Sequence, residues 1–238
     1  MTRAAREGSN AGQTEAKNIW RPIAIFGMWA MIIGGLGTIV SGHIQGQEMV
    51  KYQPGKMAAA EMICVDTDSA AFTVAAFGEC PLNGEGSDPV RFIEIPGLAS
   101  FLATDNINAH TEGVQGVQDR MVDLLNSNED FVAQYGDAAQ YSYVPPQAVS
   151  FWTFRLMILT GAFSVLLGIW GIIAMSKGKT PKSKALGTFA IWSVGAPFLG
   201  VSFGWIFTEM GRQPWVVHPN LEGLQNGEPI GSVLMMTQ

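Results

Sequence analysis

Three long apolar runs, about Ile19 to Val40, Ala148 to Met175 and Leu186 to Phe207, set the terms for this chain. Each has the roughly 20 residues an α-helix needs to cross a hydrocarbon core of about 30 Å. Inside a bilayer no water satisfies backbone N–H and C=O groups, so such runs must close their hydrogen bonds within a helix. A cleaved signal peptide is the competing account of the first run. That run is too long for it, and His43-Ile44-Gln45 follows in place of a small-residue cleavage site. The expected fold is an α-helical membrane protein with three transmembrane helices, at 18–41, 148–175 and 186–210.

Between the first two spans lies a polar insert, 42–147. Its many carboxylates, Asp66, Asp68, Glu79, Asp119, Asp123, Glu129 and Asp130 among them, face only four Lys or Arg residues: Lys51, Lys56, Arg91 and Arg120. The net charge of -6 therefore belongs to one acidic loop and argues against nucleic acid as a partner. Arg3, Arg6, Lys17 and Arg21 flank the start of the first span, and Lys177, Lys179, Lys182 and Lys184 fill the link at 176–185. The positive-inside rule places both on the cytoplasmic side, which leaves the insert and the tail at 211–238 extracytoplasmic. Residues 1–17, rich in Gly, Ser and Ala, are expected to form a disordered cytoplasmic tail.

Within the insert, Pro54 opens a short Ala-rich helix. Ala71–Phe77 and Val90–Ile95 alternate as two short strands of a small hairpin. Pro96-Gly97 turns into a half-buried helix, and apolar positions from Val114 to Tyr135 recur with the spacing of one amphipathic helix. Cys64 and Cys80 lie on the oxidising side with no other cysteine to compete, so a disulfide worth about 3 kcal/mol is expected, against two unpaired thiols.

Ionisable groups within an apolar span are costly and mark candidate sites. Trp205, Glu209 and Arg212 stand at i, i+4 and i+7 near the end of the third span. Glu209 can ligate a metal, carry a proton or pair with Arg212. On the second span, Phe151-Trp152-Thr153-Phe154-Arg155-Leu156-Met157 places a cation and a thioether close to the same depth. Arg155 and Met157 differ by about 200° around the helix, so one must reach around it. Lipid-facing packing for Met157 and snorkelling for Arg155 are the structural alternatives. Cations, a carboxylate, a methionine and tryptophans at one depth suit an anionic planar cofactor such as haem, whose iron takes axial donors and whose propionates attract Arg.

The segment Gly204-Trp205-Ile206-Phe207-Thr208-Glu209-Met210-Gly211-Arg212-Gln213-Pro214-Trp215 resembles the GWxxxExGRQPW signature of subunit I of the cytochrome bd quinol oxidases. The FRxM segment and Gln53-Pro54-Gly55-Lys56-Met57-Ala58-Ala59-Ala60-Glu61, a QPxKxAAxE element, are similar to two further stretches of that family. The resemblance implies that Met157 ligates a low-spin haem b, with Arg155 near it. It implies that Glu209 is an axial ligand at a high-spin site of haem b or haem d, that Arg212 lies near propionates, and that Trp205 sits between haems. Lys56 and Glu61 become quinol-binding residues. They lie at i, i+5, about 140° apart on a helix, which argues against a direct pair between them. His43 is taken as a hydrogen-bonding or proton-handling group rather than a ligand, and His110 and His218 as surface residues.

The function so implied is that of a subunit of a quinol:oxygen oxidoreductase in the bacterial inner membrane. Quinol is oxidised at the outer face, and electrons pass through the b and d haems to reduce oxygen to water. Family members carry earlier helices with histidine ligands and acidic residues of a proton path. The expectation is that a separate chain supplies these, with a truncated gene product as the alternative, and that a subunit II-like protein completes the complex. A haem-free membrane scaffold is the competing function.

Overall fold

The computed structural model describes residues 2–6, 10–82, 86–217, 223, 226 and 235–236. His218 lies outside the described residues. The chain is mostly helical and divides into two units, 1–42 with 156–203 and 43–155 with 204–238. Among the described residues two helices are long and apolar enough to cross a membrane, and a bent pair passes the same test together.

In the first unit, α1 (Thr2–Arg6) and α2 (Asn10–Glu15) lead through a π-helical turn, Ala16–Trp20, into α3 (Arg21–Tyr52). The N-terminal residues expected to be disordered are thus helical where described. Ala16 is fully buried, and the Arg21 guanidinium donates to Met175 O at 3.0 Å. No residue in the apolar window of α3 is fully buried within the chain, so most of its surface is left for lipid or other helices.

The second long helix, α8 (Gln147–Ala174), approaches α3 on small residues: a Cβ on Gly171 would lie 2.7 Å from Met28 Sδ. The third apolar run is not one straight helix, as expected, but α9 (Lys184–Trp192) and α10 (Ala196–Met210), bent by 42°. Pro197 explains the break. It lacks an N–H and its ring clashes with the carbonyl four residues back, that of Ser193, so the chain turns through Ser193-Val194-Gly195 and restarts.

α3 also runs on past the expected end of the first span to Tyr52, taking His43 and Gln47 with it as helical residues. One turn apart, both reach Asp105 at the end of α5 (Leu98–Thr104), at 2.8 and 2.6 Å. Gln47 first and His43 second hold this exposed carboxyl below its ordinary value. The helix stops at Gln53, where the following proline disfavours another helical residue.

The second unit is built around α4 (Pro54–Glu61), in which every residue from Gly55 to Glu61 is buried. Pro54 starts the helix where a missing N–H costs nothing. Three alanines then let the surroundings close on its backbone. Against it pack α6 (Val114–Asn126) and the hairpin of β2 (Phe72–Phe77) and β3 (Val90–Ile95), paired antiparallel with Thr73 opposite Glu94. A second short pairing joins β1 (Thr67–Asp68) to β4 (His110–Thr111), where exposed His110 meets Asp68 at 3.0 Å.

The single helix expected from Val114 to Tyr135 is two, α6 and α7 (Glu129–Tyr135). The Asn128 side chain accepts from Phe131 N and caps a new start. Cys64 and Cys80 form a disulfide. The Gln147 side chain then clasps Cys80 from both sides, accepting from its N at 2.7 Å and donating to its O at 3.1 Å. The exit of α4, the end of β2 and the start of α8 are thereby tied in series.

Replacing both cysteines by serine is expected to cost about 3 kcal/mol. It should read as a lower unfolding temperature and faster proteolysis within 43–147, while the helicity of the apolar runs persists.

Candidate functional site

Glu61 and Arg155, read from the sequence as substrate-side and cofactor-side residues, meet directly. Arg155 Nη2 donates to Glu61 Oε2 at 2.6 Å, and its Nε donates to Thr73 O on β2 at 2.8 Å. Their side chains are 5 % and 0 % exposed, so this is a buried pair sealed from solvent. The rings of Phe72 and Phe151 lie 4.1 and 4.6 Å from the guanidinium carbon, adding cation–π attraction on a desolvated cation. Arg155 therefore belongs to the core of the loop unit. It does not snorkel along a helix surface.

Lys56 sits near the other end of the same short helix and does not meet Glu61. It is 9 % exposed, and its ammonium lies 4.7 Å from the centre of the Phe207 ring on α10. Burial first, and the charge of Arg212 second, lower its pKa, with Glu209 opposing them. Gly211 makes room for the lysine stem: a Cβ there would lie 3.0 Å from Lys56 Cγ and Cε and 2.6 Å from Phe207 O. Lys56 thus runs alongside the turn that follows α10, with Arg212 and Glu209 within electrostatic reach.

Glu209 and Arg212 are ion-paired to each other, Arg212 standing in the turn beyond the helix end. Both are more than two-fifths exposed, and pairs of that kind contribute roughly 0–1 kcal/mol. Little holds Glu209 against another partner. Trp205 is 69 % exposed, and Met157 is half-buried on α8. Among the described residues no three His, Cys, Asp or Glu side chains converge to hold a metal ion. Met157 carries a thioether and Glu209 a carboxylate, donor types of the kind that haem iron takes from protein.

A cleft opens beside Lys56 between α4, α6 and the turn at 211–215, with Arg120, Tyr143 and Gln213 among its walls. Tyr143 stacks on Trp215 at 5.7 Å, and burial pushes its hydroxyl well above the ordinary tyrosine range. Sequence reasoning passed over Arg120, whose one signal was its rarity as a cation in an acidic loop.

The chain has relatives among known proteins. The sequence model of cytochrome bd terminal oxidase subunit I matches residues 4–236, and the chain belongs to that family. Cytochrome bd ubiquinol oxidase subunit 1 of Bacillus subtilis strain 168 is 33% identical over 204 residues, covering 84% of this chain and 40% of the relative. Cytochrome bd-II ubiquinol oxidase subunit 1 of Escherichia coli strain K12 is 27% identical over 239 residues, covering 82% and 45%. The bd oxidase of Geobacillus thermodenitrificans shares the fold, with a TM-score of 0.54 and 20% identity over 95% of this chain and 48% of that one. The chain thus spans less than half the length of each of these relatives.

Removing one member of a buried ion pair strands the other charge, at a cost of about 3–5 kcal/mol. Arg155→Met alone is expected to lose that much stability, and Arg155→Met with Glu61→Leu to recover most of it, read from unfolding midpoints. Burial also pushes Glu61 from 4.5 up to about 7, against the pull of Arg155. A raised folded value means the native state binds the proton more tightly. Its stabilising contribution is complete below pH 4.5 and is lost as pH rises through about 7. Glu61→Gln should flatten that slope in the stability profile over the same window.

Proposed function

We propose that this chain forms the quinol-loop and haem-ligand part of a membrane quinol:oxygen oxidoreductase of the cytochrome bd type. One observation carries the reading. The buried helix α4 touches the segment of the FRxM motif through Glu61 and Arg155, and the segment of the GRQPW motif through Lys56 with Phe207 and Gly211. Parts of three stretches recognised separately in the sequence, down to Arg155 of the second, thus share one packed unit, as they would if quinol oxidation and cofactor ligation were coupled.

In this reading three spans cross the inner membrane, the third being the bent pair α9 and α10. The loop at 42–147 and the residues beyond Met210 face outward, by the distribution of Lys and Arg. Lys56 serves quinol, and Glu61 supports the quinol loop through its pair with Arg155. Met157 donates sulfur to a low-spin haem b. Glu209 donates oxygen at a high-spin site of haem b or haem d, and Arg212 offers its guanidinium to propionates once released from Glu209. Haem, when bound, supplies the one-electron and oxygen chemistry, and the protein sets ligation and local charge. Other helices of the assembly would supply the further iron ligands, and a subunit II-like partner would complete it. Quinol and oxygen are the substrates.

Met157→Ala in the assembled oxidase is expected to change the low-spin haem spectrum and leave the high-spin signals intact. Identical spectra in the variant and the unmodified enzyme would remove Met157 from the ligand set.

A further inference from the structure

The hairpin of β2 and β3 is apolar on its open surface, inside a loop built for water. Phe77, Val90, Phe92, Ile93 and Ile95 are between 44 and 73 % exposed. They adjoin one another: Phe77 stands opposite Val90 in the register, and its ring lies 6.0 Å from that of Phe92. Single exposed apolar side chains are ordinary, but a contiguous patch marks a surface that something apolar covers. The two strands carry one cation and one anion, Arg91 and Glu94, which approach each other at 3.9 Å. The hairpin is thus a neutral patch within a loop otherwise dominated by carboxylates. Ile93 adds a second mark. Its φ of +54° is costly for a β-branched residue, and the side chain so placed is the most exposed of the five.

The position of the hairpin indicates its cover. β2 lies along the first turns of α8: Gln147 clasps Cys80, the Phe77 ring is 5.4 Å from that of Trp152, and Arg155 Nε donates to Thr73 O. Gln147 to Arg155 is about 12 Å of helix rise. These turns open the apolar run of α8, where Val149 is exposed and Trp152 half-buried. A bilayer around that run begins beside the hairpin, and Trp is enriched at such a boundary. We propose that the β2–β3 hairpin rests in the outer boundary of the bilayer, with Phe77, Phe92 and Ile93 inserted among the lipids. This rests on the reading of α8 as a membrane span and gives the loop its own contact with lipid. The sheet has only two strands, so backbone groups along its outer edge need water or headgroups. The depth is therefore that of the boundary, and the hydrocarbon centre is excluded.

The test uses the purified assembled oxidase in liposomes, with a nitroxide attached to an introduced cysteine. Cys64 and Cys80 are joined to each other, so the new thiol is the free one in this chain. In Ile93→Cys the label should be relaxed by oxygen, which concentrates in lipid, and should lose its broadening by a water-soluble nickel chelate. Phe92→Cys should behave alike, and it serves if Ile93→Cys fails to assemble. Ser127→Cys, at the exposed end of α6, should show the reverse pattern. Free access of the chelate to the hairpin labels puts the patch in water and overturns the proposal. Labels shielded from chelate and oxygen alike mean that another protein chain covers the patch, which overturns it equally. Leu166→Cys, exposed on α8, separates this inference from the reading beneath it. A lipid signal there without one on the hairpin removes the hairpin's insertion alone, whereas a water signal there brings down the span as well.

Discussion

Two opposite charges buried on one eight-residue helix set the conditions for the loop unit. Removing an ion from water costs several kcal/mol even after relaxation, so each buried charge must find its own compensation. Glu61 finds it in Arg155, held in turn by a backbone carbonyl and aromatic rings. Lys56 finds it only in part, from an aromatic face and the mouth of a cleft. The small residues between them allow this burial, because a helix of alanines can be approached on every side. The disulfide and Gln147 then hold the helix exit against the strand that completes the arginine's cage.

This asymmetry separates structure from chemistry within one motif. A sealed ion pair with its hydrogen bonds filled acts as a fastening, and strong perturbation is needed to open it. An exposed pair such as that of Glu209 and Arg212 is cheap to exchange, and a buried ammonium without an oxygen partner is poised to accept one. Lys56, Glu209 and Arg212 are the charged groups of these motifs that the structure leaves least enclosed by partners.

Much of the architecture could be read from local pattern. The alternating residues at 71–77 and 90–95 correspond to β2 and β3, Pro54 marks the start of α4, and the angular offset of Lys56 and Glu61 foretold that they do not pair. Boundaries fared worse where a single residue overrode periodicity. Asn128 restarted a helix that the apolar spacing carried through, and Pro197 bent the third apolar run. The continuation of α3 to Tyr52 was hidden because its polar end is held by Asp105, distant in sequence. The union of Glu61 and Arg155, 94 positions apart, lay beyond local pattern altogether. Which carboxylate meets which guanidinium depends on how the loop folds back on α8.

Gly211 carries a further consequence. The turn after α10 lies so close to the stem of Lys56 that a methyl group on Gly211 would press on it at 3.0 Å and collide with Phe207 O at 2.6 Å. Loop and turn are thus halves of one fitted joint, although some 150 residues of chain separate them. Grafting the loop of one family member onto the helices of another would have to carry both halves, since a mismatched turn would dislodge the lysine before any ligand arrived.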